Sequence, residues 1–140
     1  MKISKDKVKG KIERRMWKKL REIAKIKANG TCESCGRTEG LRTDHCFASE
    51  TCPELRFDHQ NLSCICASCH TKKTYRIMGF EKQIDELVKR REGVKWWKRT
   101  VNRVKKCGFR WEIASLEQKE AEIDEVLAEI RQKGNVLGEL

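Results

Sequence analysis

The chain has 140 residues, 38% of them hydrophobic and 38% charged, with a net charge of +11 at pH 7 and eight cysteines. This length predicts one domain with a helical appendage at most, and no stretch approaches the roughly 18 consecutive apolar residues of a membrane span, which excludes a transmembrane protein. The first residues carry charge but no apolar segment of a secretion signal, so we expect a cytoplasmic protein whose cysteines are reduced and bind a metal rather than form disulfides.

The charge is distributed unevenly along the chain. Residues 1–28 carry a net charge of +9 and residues 72–110 carry +10, whereas residues 29–71 and 111–140 carry −3 and −5. A cysteine-rich centre therefore lies between two basic segments, and an acidic segment follows them. Basic flanks of this kind predict a polyanionic partner, of which nucleic acid is the commonest. The alternative is that the lysines form solvated helix faces.

Apolar periodicity predicts a mostly helical chain with two short strands. In chain order, the predicted elements are a basic amphipathic helix that ends near Gly30, strands at 41–47 and 61–65, and helices at 67–77, 80–91, 94–106 and 116–133. Ser115 with Gln118 predicts a capping box at the start of the last helix. In the helix at 94–106, Trp97 continues the apolar stripe and is predicted to be buried, whereas Trp96 is predicted to cover the helix edge.

Two pairs of cysteines with two-residue spacing predict a structural zinc site. Cys32 and Cys35 form one pair, and Cys66 and Cys69 form the other, about 30 residues later. Each pair supplies two thiolates from a tight turn, and four thiolates leave no coordination position open for substrate, so this zinc would stabilise the fold. The remaining cysteines lack a partner at this spacing and are expected to be buried or bystander thiols: Cys46, Cys52, Cys64 and Cys107.

Four further residues form a second pattern around these pairs. Asp44 and His45 are adjacent in the first predicted strand, Asn61 opens the second strand, and His70 directly follows Cys69. Each of these residues alone has an ordinary explanation as a surface, core or turn residue. Together, in this order and beside a zinc site, they favour a catalytic centre.

The order Cys-x-x-Cys, Asp-His, Asn and Cys-x-x-Cys-His resembles the zinc-braced HNH endonucleases over about residues 31–78. The resemblance implies their ββα-metal fold, in which two strands and a helix surround one divalent ion. It implies that Asp44 and His70 hold a catalytic Mg²⁺ or Mn²⁺. It also implies that His45 is the general base that activates water and that Asn61 fixes the loop and orients His45.

A narrower similarity, over about residues 31–130, is to the phage NinG/Rap recombination proteins, which are regarded as branched-DNA nucleases. The segments ESCG, PELRFDHQNLSCICASCH and IDEL carry this similarity. In that family an asparagine stands at the position of His70, and a glycine stands at the position of Asp44. The metal ligands of this chain therefore resemble those of standard HNH nucleases.

We accordingly predict an α+β, mostly helical protein with a small ββα-metal HNH core and a structural four-cysteine zinc site, flanked by N- and C-terminal helices. The predicted units are a basic N-terminal helix at 1–30, the core at 31–78 and a C-terminal helical region at 79–140. The predicted function is metal-dependent hydrolysis of phosphodiester bonds in duplex or branched DNA. The residues predicted to contact phosphates are Lys18, Lys19, Arg21, Lys72 and Lys73.

The sequence leaves three questions open. A non-catalytic zinc-ribbon module for DNA binding or recruitment explains the charge and the zinc site, although not the spacing of the second pattern. The heptad-like positions Leu116, Ile123 and Ile130 leave open whether the chain forms a homodimer. Finally, adjacent residues point to opposite faces of a regular strand, so Asp44 and His45 can serve one ion only if the strand bends or one of them reaches around its edge.

Overall fold

The structure is a computed structural model that describes residues 4–48, 52–105 and 111–138. The described chain is mostly helical, with one two-stranded sheet, which confirms the predicted fold class at that level. The elements are α1 (Lys5–Lys27), β1 (Leu41–His45), β2 (Leu62–Cys66), α2 (Ala67–Thr74), α3 (Phe80–Glu92), α4 (Val94–Val104) and α5 (Ile113–Gly138). None of the helices in these ranges has the length and apolar character that a membrane span requires.

Helix α1 begins and ends where local chemistry favours it. The Ser4 side chain caps its N-terminus by accepting a hydrogen bond from the Lys7 N–H at 3.3 Å, and Asp6 places a negative charge in the first turn. Lys25 and Lys27 place positive charges in the last turn, where they complement the helix dipole. One face of α1 is buried, so the helix packs along its whole length against the rest of the chain.

The two strands form an antiparallel hairpin whose register is regular, from Leu41 opposite Cys66 to His45 opposite Leu62. Strand β1 ends at His45, two residues earlier than predicted, because the Phe47 N–H bonds the Asn61 side chain rather than the partner strand. Strand β2 begins one residue later than predicted, because residues 59–61 form a 3₁₀ turn.

Two hydrophobic clusters cover the two faces of the hairpin. The larger cluster joins α1, α5 and one face of the hairpin, and Leu116 and Ile123 of α5 are fully buried in it. The smaller cluster joins Ile65 of β2 and Ile84 of α3 to the paired cysteines. The residues of α5 on which the homodimer prediction rests therefore pack against α1 of the same chain, with Ile130 at the edge of the cluster.

Ion pairs reinforce the contact between basic α1 and acidic α5. Arg15 bonds Glu120 at 2.9 Å, Lys19 bonds Asp124 at 2.7 Å, and Arg131 of α5 bonds Glu22 of α1 at 2.7 Å. The acidic end of the chain thus neutralises one flank of the basic first helix.

The tryptophan prediction for α4 was wrong. Trp96 is buried and Trp97 is half-buried, while Val94, which the predicted stripe contained, is 52% exposed. Trp96 shares the buried face of α4 with Thr100, and both tryptophan rings contact Phe47. Neighbouring tryptophans are equally apolar, so periodicity could not decide which of them faces the loop after β1.

Several helix ends also differ from prediction: α4 ends at Val104 rather than at residue 106, and α5 ends at Gly138 rather than at residue 133. Helix α5 begins at Ile113, so Ser115 lies inside its first turn and cannot be the N-cap of a capping box. Helix α2 ends at Thr74 rather than at residue 77, because Arg76 adopts a left-handed conformation with φ of 51°.

Candidate functional site

The four paired cysteines come together, as the sequence predicted. Their Sγ atoms all lie within 4.8 Å of one another, and the Sγ atoms of Cys35 and Cys66 are 3.6 Å apart. Two thiolates bound about 2.3 Å from one tetrahedral zinc ion would be about 3.8 Å apart. The cluster can therefore hold a structural metal ion such as zinc.

Local backbone geometry presents the first pair of thiols. After α1 the chain makes a tight turn, in which the Gly36 N–H bonds the Cys32 carbonyl at 2.9 Å and the Cys35 N–H faces the Cys32 Sγ at 3.5 Å. Gly36 has φ of 80°, a conformation that favours glycine. The second pair is placed by the junction of β2 with α2, since Cys66 ends the strand and Cys69 lies in the first turn of the helix.

The acidities of these thiols fit a cation-binding role. Burial opposes ionisation of Cys32, but backbone hydrogen bonds from Cys35, Cys66 and Ser34 lower the pKa of this thiol to about 6. Burial and the neighbouring thiols raise the pKa of Cys69 to about 12. Four thiols packed this closely cannot all ionise without a compensating cation, and a thiophilic divalent ion supplies that compensation.

The other cysteines do not join the cluster. Cys46 donates a hydrogen bond from its thiol to Asp85 at 3.0 Å, and burial raises the pKa of that thiol, so it is unreactive. Cys64 is a buried free thiol. Cys52 is fully buried and disulfide-bonded, so the expectation that it is a free thiol was wrong. Cys107 lies outside the described residues.

Asp44 and His70 lie side by side at the junction between the hairpin and α2. The Asp44 Oδ1 and His70 Nε2 atoms are 3.7 Å apart, and both side chains are partly exposed, by 23% and 34%. Asp44 is held opposite Ser63 in the hairpin, and His70 directly follows the cluster cysteine Cys69 in α2. The same helix therefore supplies one thiol to the metal cluster and the imidazole of this pair.

Lys73, one turn after His70, is the third polar side chain at this place. Its ammonium group forms an ion pair with the second carboxylate oxygen of Asp44 and donates to the His45 carbonyl at 2.7 Å. Lys73 was predicted to contact phosphate, but it is engaged with Asp44. It neutralises the carboxylate and ties α2 to the end of β1.

His45 lies on the other face of β1. Its Nε2 atom is 2.8 Å from the Arg56 carbonyl, and its ring packs edge-on against Trp17 with centroids 5.1 Å apart. A carbonyl only accepts hydrogen bonds, so Nε2 carries the proton and Nδ1 is left with a lone pair. Burial lowers the pKa of His45, which favours the neutral ring at pH 7. The pairing of β1 with β2 is regular through His45, so the His45 ring and the Asp44–His70 pair project from opposite faces.

Asn61 is completely buried and bonds both ends of the loop that follows His45. Its Oδ1 atom accepts from the Phe47 N–H at 2.7 Å, and its Nδ2 atom donates to the carbonyls of Phe47 at 2.9 Å and Leu55 at 3.1 Å. Its own carbonyl accepts from the Cys46 N–H at 2.8 Å. These are the contacts that a loop-fixing asparagine requires.

The predicted phosphate-contacting residues have different surroundings. Lys18, Arg21 and Lys72 are exposed and form no ion pair within the described chain. Lys19, in contrast, is paired with Glu120 and Asp124 of α5. Only three of the five predicted residues are thus free to meet a polyanion.

The structure also shows a longer cationic stripe on α1, which is the basic face of the predicted amphipathic helix. Six exposed cations recur at alternating spacings of four and three residues along the solvent face of α1, and none of them forms an ion pair with another described residue. They are Lys7, Lys11, Arg14, Lys18, Arg21 and Lys25. The signal was present in the sequence as the periodic complement of the apolar face.

The cationic stripe leads to a groove between α1 and β1. Arg21 and Lys25 line this groove of about 440 Å³ together with Arg42 and Thr43 of β1. Arg42 and Asp44 are two residues apart in the strand, so they project from the same face. The other lining residues of the hairpin, Leu41, Thr43 and Cys64, share the face of His45. The groove therefore leads from the stripe to the edge of β1, with Arg42 on the Asp44 side of that edge.

Comparison of the chain with protein families, with curated proteins and with solved structures found no match.

Proposed function

We propose that this chain is a metal-dependent DNA endonuclease of the HNH type, and that Asp44 and His70 bind its catalytic ion. The observation that carries the proposal is the 3.7 Å separation of the Asp44 carboxylate and the His70 imidazole. Carboxylate and imidazole suit Mg²⁺ and Mn²⁺ better than thiolates do. Adjacent ligands about 2.1 Å from an octahedral ion are about 3.0 Å apart, so the two side chains would close by about 0.7 Å around a bound ion. The rigid hairpin–helix junction beside the four-thiol cluster supports such a site.

The residues at the site would divide the work of phosphodiester hydrolysis. The bound ion would stabilise the developing charge on phosphate and leaving oxygen. Neutral His45, whose Nδ1 lone pair is free, is chemically suited to take a proton from the attacking water. Asn61 fixes the loop that begins just after His45, and Lys73 balances the charge of Asp44.

The charge of the surface supports DNA as the substrate. The cationic stripe runs from Lys7 to Lys25, which is 18 steps of about 1.5 Å or about 27 Å of helix, long enough to follow several phosphates of one DNA strand. The groove would bring that DNA strand to the edge of β1, where Arg42 projects from the same face as Asp44. A binding surface made mainly of lysine and arginine reads the backbone rather than the bases, which suits an enzyme that recognises the shape of its DNA.

A second candidate is a zinc-stabilised DNA-binding module without catalytic activity. The observation that favours it is the position of His45, whose ring lies on the opposite face of β1 from the Asp44–His70 pair and bonds the Arg56 carbonyl. Catalysis would require the His45 ring to approach the pair on DNA binding. A module would use the same cationic stripe and need no such change.

A cleavage panel distinguishes the two candidates. Linear duplex, single-stranded, flap and four-way-junction DNA are incubated with the protein and Mg²⁺ or Mn²⁺, and binding is measured by fluorescence anisotropy without added divalent ions. We expect cleavage that depends on the divalent ion and that falls at least about 100-fold in Asp44→Asn, with DNA affinity and zinc content unchanged.

The matched control is Glu117→Gln, which changes an exposed carboxylate of α5 in the same isosteric way and should cut at the wild-type rate. Binding without cleavage of any substrate would assign the chain to the DNA-binding modules. Equal cleavage by wild type and Asp44→Asn would refute the proposed ion site.

A further inference from the structure

The link between α2 and α3 carries an unusual exposed apolar surface. The described chain exposes four large hydrophobic side chains, and three of them lie in this link: Tyr75 is 74% exposed, Ile77 is 46% and Met78 is 94%. The fourth, Val94, lies at the start of α4. Single exposed apolar residues are ordinary, but three within four consecutive positions indicate a contact surface. We call residues 75–79 the apolar tip.

The backbone of the apolar tip turns these side chains outwards. Arg76 and Met78 have φ of 51° and 52°, and Gly79 has φ of 71°. Non-glycine residues rarely adopt this left-handed conformation, and where it occurs it concentrates at functional sites. Hydrogen bonds from the Tyr75 and Arg76 N–H groups to α2 fix the start of the turn. Met78 thus stands at the apex rather than against the core.

The surroundings of the apolar tip are cationic and adjoin the proposed ion site. Arg76 lies within the apolar tip, Lys72 and Lys82 lie three residues before and after it in the chain, and all three are exposed. Helix α2, which carries His70 and Lys73, ends at Thr74, directly before the apolar tip begins. Apolar side chains flanked in the chain by exposed positive charges complement stacked bases between two phosphate backbones, and proteins that open base steps use methionine and isoleucine in this way.

We propose that the apolar tip is a wedge that inserts Met78 and Ile77 between two bases of the DNA bound at the Asp44–His70 pair. Tyr75, at the base of the wedge, offers a ring on which a displaced base can stack. This inference rests on the proposed function and adds a substrate class to it. Opening a base step costs least where stacking is already interrupted, so the wedge selects nicks, mismatches and branch points over perfect duplex.

Fluorescence of 2-aminopurine tests the wedge, because this base brightens when it is unstacked. A four-way junction and a perfect duplex carry the probe at successive positions, and fluorescence is recorded at saturating protein without added divalent ions. We expect a several-fold rise at one position of the junction. The rise should fall by at least two thirds in Met78→Ala and return in Met78→Leu, and Met78→Ala should bind the junction about tenfold more weakly.

Val94→Ala is the matched control, since it truncates the remaining exposed apolar side chain, which lies at the start of α4 and outside the apolar tip, and should leave the signal unchanged. Met78 is almost fully exposed, so its truncation should not unfold the protein. Two results would overturn the wedge: an equal rise in 2-aminopurine fluorescence with wild type and Met78→Ala, or no rise although anisotropy reports binding. In either case, cleavage of DNA by the wild-type protein would still support the proposed function. Failure to bind any DNA overturns both.

A membrane is the other surface that basic and apolar side chains could enter. Sedimentation with vesicles of phosphatidylcholine and phosphatidylserine tests it. Binding of the wild-type protein to these vesicles, lost in Met78→Ala and unaccompanied by brightening on DNA, would assign the apolar tip to a membrane and overturn the wedge. We expect no difference between the two proteins in this assay.

Discussion

Replacing Asn61 with alanine should destabilise the protein more than any other single change outside the thiol cluster and the hydrophobic clusters. Asn61 is fully buried and makes three side-chain hydrogen bonds, to the N–H and carbonyl of Phe47 and to the carbonyl of Leu55. Each buried hydrogen bond contributes about 1 kcal/mol net, and a buried group left without a partner costs about 1–3 kcal/mol. The Phe47 N–H and the Phe47 carbonyl would be left in this way, whereas the Leu55 carbonyl would keep the Asp58 N–H at 3.3 Å, so we expect a loss of about 3–5 kcal/mol.

Urea unfolding followed by circular dichroism measures this loss. Asn102→Ala is the matched control, because Asn102 is an exposed asparagine on α4, and its replacement should change the free energy of unfolding by less than about 0.5 kcal/mol. Asn61→Ala should also reduce any DNA cleavage, since the loop that begins after His45 would no longer be fixed. A loss below about 1 kcal/mol for Asn61→Ala would refute the bracing role.

Three further predictions concern the metal, the surface and the pH dependence. Cys32→Ser should lose zinc and unfold the centre, because zinc binding contributes on the order of 10 kcal/mol to folding. Cys46→Ser should keep its hydrogen bond to α3 and stay folded. Elemental analysis that finds no zinc in the wild-type protein would contradict this. Arg21→Ala should lower the magnitude of the slope of log K for duplex-DNA binding against log salt concentration by about 0.9. Lys19→Ala, which removes ion pairs to α5, should lose stability and leave that slope unchanged. An unchanged slope in Arg21→Ala would exclude a phosphate contact. Burial, reinforced by a neighbouring lysine ammonium, lowers the pKa of His59 to about 4. The unfolded chain, with a pKa of about 6.5, therefore binds more protons at this residue, and stability should fall by about 1–2 kcal/mol between pH 7 and pH 5, a fall that His59→Gln should remove; equal pH profiles would refute this.

The sequence predicted those features that local patterns determine. Apolar periodicity identified all five helices of the described chain, and cysteine spacing identified the thiol cluster, because both patterns involve residues close together in the sequence. The choice between Trp96 and Trp97 failed because it depends on Phe47, which lies about 50 positions away in the chain and packs against both.

Long-range polar contacts could not be predicted from the sequence either, because their partners lie far apart in the chain. Arg91 of α3 forms an ion pair with Glu33 of the first cysteine turn, and Lys27 of α1 bonds both His59 at 2.8 Å and Glu92 at 3.1 Å. Many acids and bases of this highly charged chain could have formed such pairs. The fold alone selects among them, as it selected Lys73 as the partner of Asp44.

The candidate site could be predicted in composition but not in arrangement. The pattern singled out Asp44, His45 and His70, and strand alternation raised the question of whether the first two could serve one ion. The hairpin is regular, so the pair and the His45 ring lie on opposite faces of β1. The chain is a nuclease if the His45 ring moves next to the Asp44–His70 pair when DNA binds, and a binding module if it does not.

The most direct test is therefore the cleavage of four-way-junction and duplex DNA by His45→Gln and His45→Ala in Mg²⁺, with DNA affinity measured on the same preparations. Glutamine can still donate a hydrogen bond to the Arg56 carbonyl but cannot act as a base. His45→Gln therefore distinguishes loss of the catalytic base from loss of stability. We predict that both variants lose cleavage by at least about 100-fold while affinity and zinc content stay within a factor of two of the wild-type values. Cleavage by either variant at the wild-type rate would contradict the assignment of this site as a nuclease centre.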